Sequence, residues 1–293
     1  MPSTQEIRPM RSLLFVPADS ERKLAKSAGC GADVLILDLE DSVLPVNKVL
    51  ARQGLATFIS AYQGTGELWV RVNDLDSGLL LADIAAAVAA GAGGIVLPKL
   101  RNAEELARVC AYLDMAEAVH GRVPSSLGIL PVCTETAEAV LRLPELIGRP
   151  WPRLRGMLWG AEDLSSALGA GDPRHENGNW RPLYQLVRNQ CLLICNALQV
   201  PAIDTVYVDV RNAEGCRLSA VEARYDGFTG KVAIHPDQVA VINQAFTPND
   251  SEVAHARRVV EAFSGGEGAV MLDGKMLDIP HLKGARRLLA SVE

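Results

Sequence analysis

The chain has no C-x-x-C pair, no Cys/His cluster at zinc-finger spacing, no G-x-G-x-x-G opening a helix and no excess of positive charge. Its six cysteines stand at positions 30, 110, 133, 191, 195 and 216. Several lie in apolar runs, where a thiol serves as a small core residue. They read as reduced thiols of a cytoplasmic protein, not as a disulfide or zinc framework. With 29 Lys and Arg against 35 Asp and Glu, the formal charge is −6. That excludes a global basic field for nucleic acid or an anionic membrane surface, so any anionic ligand must be met by a local patch. No run approaches the roughly 18 apolar residues that cross a bilayer. The Ala-rich stretch 79–92 is too short and is broken by Asp83. Met1-Pro-Ser-Thr-Gln-Glu-Ile-Arg lacks the apolar core and cleavage pattern of a leader peptide. Partners are therefore expected among small molecules and not among nucleic acids or membranes.

What is present is ordinary globular material, 48% hydrophobic and 22% charged over 293 residues, enough for one large core. Eight short apolar runs recur at 12–18, 34–41, 68–73, 94–99, 128–135, 156–163, 202–209 and 231–236. They are rich in Val, Ile and Leu with little alternation, as parallel strands buried on both faces require. Helical spacing of apolar residues fills the gaps, as in Ala103-Glu-Glu-Leu-Ala-Arg-Val-Cys-Ala-Tyr-Leu. The longest gap holds a polar Gly/Pro-rich segment, 169–182. Such repetition predicts a (β/α)8 (TIM) barrel over 1–250. A doubly wound sheet is the competitor. The remaining segment, 251–293, predicts a helix over 251–264, a hairpin turning at Asp273-Gly274 and a helix over 280–292. Such an appendage suits a lid over the barrel mouth or an arm onto a second subunit.

Active sites of such barrels gather at the C-terminal ends of the strands. Those ends carry Asp38, Glu40, Asp41, Arg71, Asn73, Lys99, Glu135, Asp163, Asp209 and His235. Glu135 and Asp163 lie 28 residues apart, about one strand–helix–strand repeat, which brings two carboxylates to one rim. Both also fit helix caps. A metal is favoured, since adjacent unpaired carboxylates repel unless a cation lies between them. Two oxygen ligands with room for water and substrate is the usual Mg²⁺ arrangement. Asp41 before Ser42-Val43 fits an N-cap as well as a catalytic role, and Lys99 fits a pairing across the mouth. His235-Pro236 also fits a loop-shaping pair before an N-cap Asp237. Arg71 follows Trp69-Val70 in a buried strand, and a buried guanidinium needs an anion, from protein or substrate.

Six motifs then fall in order along the chain: Arg11-Ser-Leu-Leu-Phe-Val-Pro-Ala, Leu37-Asp-Leu-Glu-Asp-Ser-Val with Lys48 and Arg52 after it, Val70-Arg-Val-Asn, Thr134-Glu-Thr, Gly160-Ala-Glu-Asp-Leu and Gly230-Lys-Val-Ala-Ile-His-Pro-Asp-Gln. Together they resemble the HpcH/HpaI aldolase and citrate lyase β-subunit family, nearest its stand-alone citrate lyase β-like and malyl-CoA or citramalyl-CoA lyase branch. The resemblance runs from about Arg11 to the C-terminus. It implies a Mg²⁺-dependent barrel enzyme (Mn²⁺ tolerated) that cleaves or forms a C–C bond between a 2-keto acid and an acyl-thioester enolate.

On that resemblance Glu135 and Asp163 match the metal ligands, Arg71 the substrate-binding arginine, and Glu135 also meets substrate. Asp38, Glu40 and Asp41 would support Arg71 and the metal's waters. Phe15, Arg22, Lys26, Ile234 and His235 fall where such relatives bind CoA, although a solvated helix face also explains Arg22 and Lys26 and is preferred for Lys23. Asp278 in Gly274-Lys-Met-Leu-Asp resembles a catalytic aspartate donated by a neighbouring subunit, and equally an N-cap before Pro280. A homotrimer or hexamer would follow. Ala18 stands where many relatives have Gly, and Arg22 where some have Lys. The alternatives in the same class are a citrate lyase β subunit acting on an acyl-carrier-protein thioester and a class II aldolase acting on a free hydroxy acid. A non-catalytic regulator on the same barrel is disfavoured by the intact Arg71, Glu135 and Asp163.

Overall fold

Eight parallel strands form one sheet in the computed structural model, which describes residues 10–266 and 268–292. They are β1 (Ser12–Pro17), β2 (Val34–Asp38), β3 (Glu67–Arg71), β4 (Gly94–Leu97), β5 (Gly128–Pro131), β6 (Met157–Leu158), β7 (Ala202–Asp204) and β8 (Gly230–Ala233). Helices α1 (Glu21–Ser27), α2 (Lys48–Ala61), α3 (Leu80–Ala90), α4 (Ala103–Val119), α5 (Ala137–Arg142), α6 (Glu162–Ala167), α7 (Pro182–Leu198), α8 (Ala213–Asp226) and α9 (Pro236–Phe246) follow in turn. Spatial order is β5-β4-β3-β2-β1-β8-β7-β6. The sheet meets itself between β5 and β6 through parallel bridges Ile129 to Leu154 and Val132 to Leu158, with the Cys133 N–H donating to the Leu158 carbonyl at 3.0 Å. The chain is a TIM barrel, as expected. No helix among the described residues is long and apolar enough to cross a membrane.

Strand alternation sorts side chains between two cores. Leu13, Val34, Ile36, Trp69, Val96, Leu130, Ile203 and Val232 fill the barrel interior. Their neighbours Leu14, Leu35, Leu37, Val70, Ile95 and Ile129 face the helices. Trp69 needs two glycines beside it: a Cβ on Gly94 would lie 2.4 Å from its ring, and one on Gly128 2.7 Å. Each fully buried Val, Leu or Ile contributes roughly 1.5–3 kcal/mol relative to exposure, so this doubled core carries the fold.

Several strands stop short of the expected boundaries. β6 ends at Leu158, not 163, β7 at Asp204, not 209, and β2 at Asp38, not 41. In each the apolar run continues into a turn whose backbone aims polar side chains at the mouth. At β2, Asp38 itself makes the turn by accepting the N–H groups of Glu40 (2.8 Å) and Ser42 (3.3 Å).

Beyond the barrel come α10 (Asp250–Ala262), a hairpin of β9 (Ala269–Leu272) and β10 (Lys275–Asp278), and α11 (Ile279–Ala290). Asp273 and Gly274 both have positive φ, 50° and 75°, the geometry of a tight hairpin turn. Val259, Phe263, Val270, Leu277, Leu282 and Ala285 give this extension a small core of its own. The N-terminal segment read above for a leader lies outside the described residues, as do Glu267 and Glu293 of the extension.

Candidate active site

Strand parity turns Asp38 and Arg71 inward, and they are register partners on adjacent strands. Arg71 donates from Nε and Nη2 to the two Asp38 oxygens at 2.7 and 2.6 Å. Its Nη1 lies 2.9 Å from Glu40 Oε2, and its guanidinium stacks 4.5 Å from the Phe15 ring centroid. Burial would raise the Asp38 carboxyl, but Arg71 outweighs it and holds the group below the ordinary carboxylate range. Burial opposes the charge on Arg71, and the same carboxylate more than restores it. Glu40 is pushed upward by burial, with Asp41 adding to the shift against the pull of Arg71 and Lys99.

Lys99, just past β4, joins this group to the next. Its φ of 53° is left-handed, rare for a side chain of this size. That backbone turn aims its N–H at Glu135 Oε2 while its Nζ reaches Glu40 Oε1 at 2.6 Å and Asp41 Oδ2 at 3.5 Å. Lys48 fixes the turn from below, donating to the Leu39 and Glu40 carbonyls at 2.9 and 3.0 Å and to Asn73 Oδ1 at 2.5 Å.

Glu135 follows β5 in the loop that Thr136 caps into α5. Thr134 ties this loop to the next: the Gly160 N–H donates to its hydroxyl at 2.9 Å. A Cβ on Gly160 would lie 3.0 Å from Glu135 Cγ, so glycine permits the approach. Asp163 sits in the first turn of α6 and not at a strand end, because β6 has already stopped. Glu135 and Asp163 nevertheless line one cavity of about 110 Å³ together with Arg71, Phe15, Val132 and Val232. Burial first, then the charge of Asp163, pushes the Glu135 carboxyl well above the ordinary range. A divalent cation between them would relieve both effects. Among the described residues no group of three or more His, Cys, Asp or Glu converges on a metal position. Two carboxylates, with the remaining positions left to water and substrate, would be a donor set that fits Mg²⁺.

Other expected residues lie apart from this cavity. Asp41 is 57% exposed and caps no helix, since the following 3₁₀ turn starts at Pro45 after Leu44. Asp209 is exposed in a loop. Arg22, Lys23 and Lys26 are exposed on α1, Arg22 and Lys26 one turn apart on one face. Ile234 is 40% exposed. His235 is itself the N-cap of α9, its Nδ1 accepting the Asp237 N–H at 3.3 Å, so the cap expected at Asp237 lies two residues earlier. Asp278 stands at the N-cap position of α11, 2.5 Å from His281 Nδ1 and half exposed, outside its own barrel's cavity.

One buried network escaped sequence reasoning. Lys231 Nζ lies 2.6 Å from Asp204 Oδ2, while Trp159 Nε1 donates to Asp204 Oδ1 at 2.8 Å and Arg188 Nε approaches it at 3.2 Å. Burial would raise Asp204, but Lys231 and Arg188 hold it below the ordinary range. A lysine inside the apolar run Gly230-Lys-Val-Ala was the available signal.

A profile described as HpcH/HpaI aldolase/citrate lyase matches residues 11–236, and one described as C–C bond lyase of the TIM-barrel fold matches residues 205–293. The chain is 35% identical to a (3S)-malyl-CoA thioesterase of Cereibacter sphaeroides, covering 98% of this chain and 96% of that protein. It is 31% identical to the mitochondrial citramalyl-CoA lyase of Rattus norvegicus, covering 98% and 87%. The crystal structure of CitE from Mycobacterium tuberculosis in complex with magnesium, acetoacetate and coenzyme A matches with a TM-score of 0.80 at 30% identity, covering 98% of this chain and all (100%) of that one.

Proposed function

Because the chain belongs to the HpcH/HpaI aldolase/citrate lyase family, we propose that it is a Mg²⁺-dependent carbon–carbon lyase, with Mn²⁺ tolerated. It cleaves, or in reverse forms, a 3-hydroxyacyl-CoA such as malyl-CoA or citramalyl-CoA, giving acetyl-CoA and a 2-keto acid. The observation that carries this reading is one cavity holding Glu135, Asp163 and Arg71 together.

Glu135 and Asp163 would hold the metal, which supplies Lewis-acid polarisation at the oxygen that becomes the keto group. Arg71, oriented by Asp38 and Glu40, donates charge-assisted hydrogen bonds toward the same oxygen. A general base, here taken as water at the open mouth of the site, accepts the hydroxyl proton as the C–O bond becomes C=O. The C–C bonding pair then leaves as the thioester enolate, and a general acid returns a proton to carbon. Asp278 of a neighbouring subunit is assigned that acid role, or the enolising base in the reverse direction. Its exposure on an extension with a separate core, outside its own cavity, supports delivery to another barrel, as do the exposed Met271 (68%) and Met276 (71%) of the same hairpin. A homotrimer or hexamer satisfies that geometry. Phe15, Arg22, Lys26, Ile234 and His235 are assigned to CoA. Six free cysteines, four of them buried, support a cytoplasmic setting.

The test is product identity. Purified protein with Mg²⁺ is given malyl-CoA, citramalyl-CoA, citryl-CoA and an acyl-carrier-protein citryl thioester. Acetyl thioester plus keto acid, abolished by chelator, is the expected result. Free CoA plus the intact hydroxy acid would identify a thioesterase instead, the activity in the Cereibacter relative's name.

A further inference from the structure

Independently of the lyase reading, we propose that the cavity beside the catalytic one binds a free α-amino acid, its carboxylate on Arg174 and its ammonium among Glu162, Asp172 and Asp209. This second cavity lies between the loops that follow β6 and β7. It measures about 570 Å³, within the roughly 300–1,000 Å³ of ordinary small-molecule pockets. Glu162 and Val206 wall both cavities. The cations assigned to CoA follow β1, which β8 and β7 separate from β6, so this pocket stands apart from them.

Arg174 is the cation of this pocket. Arg71, Arg153 and Arg188, also drawn into the interior, each hold a carboxylate. Among the described residues Arg174 pairs with none. Its guanidinium stacks 3.4 Å from the Trp180 ring centroid, Nη1 donates to the Gly178 carbonyl at 2.6 Å, and Nη2 is buried without an acceptor. Burial lowers its pKa, against a smaller pull from Asp204, Glu222 and Tyr207. A buried donor left without a partner is costly, and a planar carboxylate is the acceptor that a guanidinium fork fits best. Rotation of the side chain off the Gly178 carbonyl turns Nη2 to the cavity that Arg174 lines. Tyr207 adds a phenol whose oxygen accepts Asn212 Nδ2 at 3.1 Å, which leaves its own proton for a ligand.

A plain anion does not suit the rest of the lining. Glu162, Asp172 and Asp209 stand exposed around the pocket and pair with no cation among the described residues. They repel a lone carboxylate and attract an ammonium. A purely cationic ligand would leave Arg174 unpaired. A zwitterion meets both, with its carboxylate inward at the buried guanidinium and its ammonium outward at the exposed acids.

Isothermal titration with the common L-amino acids, one at a time, with and without Mg²⁺, tests this independently of turnover. At least one should bind with a Kd below about 5 mM, whether or not Mg²⁺ is present. The deaminated acid and the decarboxylated amine of the tightest binder should each bind at least about tenfold more weakly, since each lacks one charge-assisted contact. Arg174→Gln should weaken the amino acid at least about tenfold for the same reason. Asp172→Asn removes a charge but keeps the Oδ1 that accepts the Arg174 N–H at 2.8 Å, so it preserves the turn. It should weaken binding at least about threefold, as loss of one of three exposed attractions requires. No amino acid binding below the limit overturns the inference. So does binding that requires Mg²⁺, which would place the amino acid on the catalytic metal. A smaller loss for either analogue, or in a folded Arg174→Gln protein, also overturns it. Should Arg174→Gln not fold, wild-type affinity in Asp172→Asn does the same.

Discussion

Arg71 grips Asp38 with two parallel hydrogen bonds, 2.7 Å from Nε and 2.6 Å from Nη2, while Nη1 lies 2.9 Å from Glu40 Oε2 as an ion pair. Asp38 is fully buried and Arg71 nearly so, at 1% and 14% side-chain exposure. The fork geometry is one a lysine cannot copy. Arg71→Lys should keep the fold and the charge yet lose about 2.7–4 kcal/mol of transition-state stabilisation, roughly 10²–10³ in kcat. Asp38→Asn should lose activity through misorientation of Arg71, with a larger effect on kcat than on KM. Wild-type turnover by Arg71→Lys would make the arginine structural.

Glu135→Gln and Asp163→Asn should each abolish Mg²⁺ binding, measured by titration calorimetry, and Mg²⁺-dependent turnover. Because burial and Asp163 disfavour the ionised form of Glu135, Glu135→Gln should leave the thermal midpoint in chelator unchanged or higher. Retention of tight Mg²⁺ binding in either variant would move the metal elsewhere.

Much of this arrangement was readable before folding. Val-, Ile- and Leu-rich runs spaced by helical patterns specify a parallel barrel, because a strand buried on both faces is apolar at most of its positions. Glu135 and Asp163 stood out as the acids ending adjacent runs. Strand ends were less readable, since Gly160-Ala-Glu-Asp reads as part of an apolar run although only Met157 and Leu158 pair as β6. The three acids after Leu37 separate only in three dimensions, with Asp38 and Glu40 buried and Asp41 exposed. The Asp204–Lys231 pair was hidden because each partner sits in its own apolar run, 27 residues apart, and nothing local joins them.

A second buried ion pair makes stability depend on pH. Arg153 donates to Glu117 Oε1 at 2.9 Å and Oε2 at 2.5 Å, and the Ser125 and Leu127 N–H groups add 2.8 Å bonds. Burial pushes the Glu117 carboxyl up, but these donors prevail and bring it down to about 2, from an ordinary 4.5. A folded value below the unfolded one means that the stabilisation is complete above about 4.5 and fades as pH falls toward about 2. Its size is on the order of 3 kcal/mol at most. Urea unfolding should show Glu117→Gln destabilised at pH 7, with the gap to wild type closing as the pH falls below about 4.5. A gap that stays constant with pH would refute the assignment.

Arg22 and Lys26 present two cations on one face of α1 beside the first strand's exit. Arg22→Glu and Lys26→Glu should raise KM for a CoA thioester several-fold. They should change little for an N-acetylcysteamine thioester, which lacks the nucleotide. Because such phosphate contacts are exposed, the wild-type KM for the CoA substrate should also rise with salt. Equal effects on the two thioesters would mean that these cations do not contact CoA.

Asp278 and Arg71 are expected to meet only across subunits. Within one chain Asp278 pairs with His281 at 2.5 Å on the extension and is absent from the lining of the Arg71 cavity. Asp278→Ala should therefore bind Mg²⁺ and keto acid normally and lose turnover, as a missing proton donor requires. Deleting the chain from about residue 265 should leave a folded, metal-binding barrel with little activity. The decisive measurement mixes Asp278→Ala subunits with Arg71→Ala subunits, each inactive alone. If the arm is donated, some sites in the mixed oligomers carry both wild-type residues, and part of the activity returns as subunits exchange. A neighbouring acid on a closing arm would also keep water from the enolate until the proton arrives. Absence of recovery after exchange has been demonstrated by mass spectrometry would assign Asp278 to its own helix cap and require another proton donor.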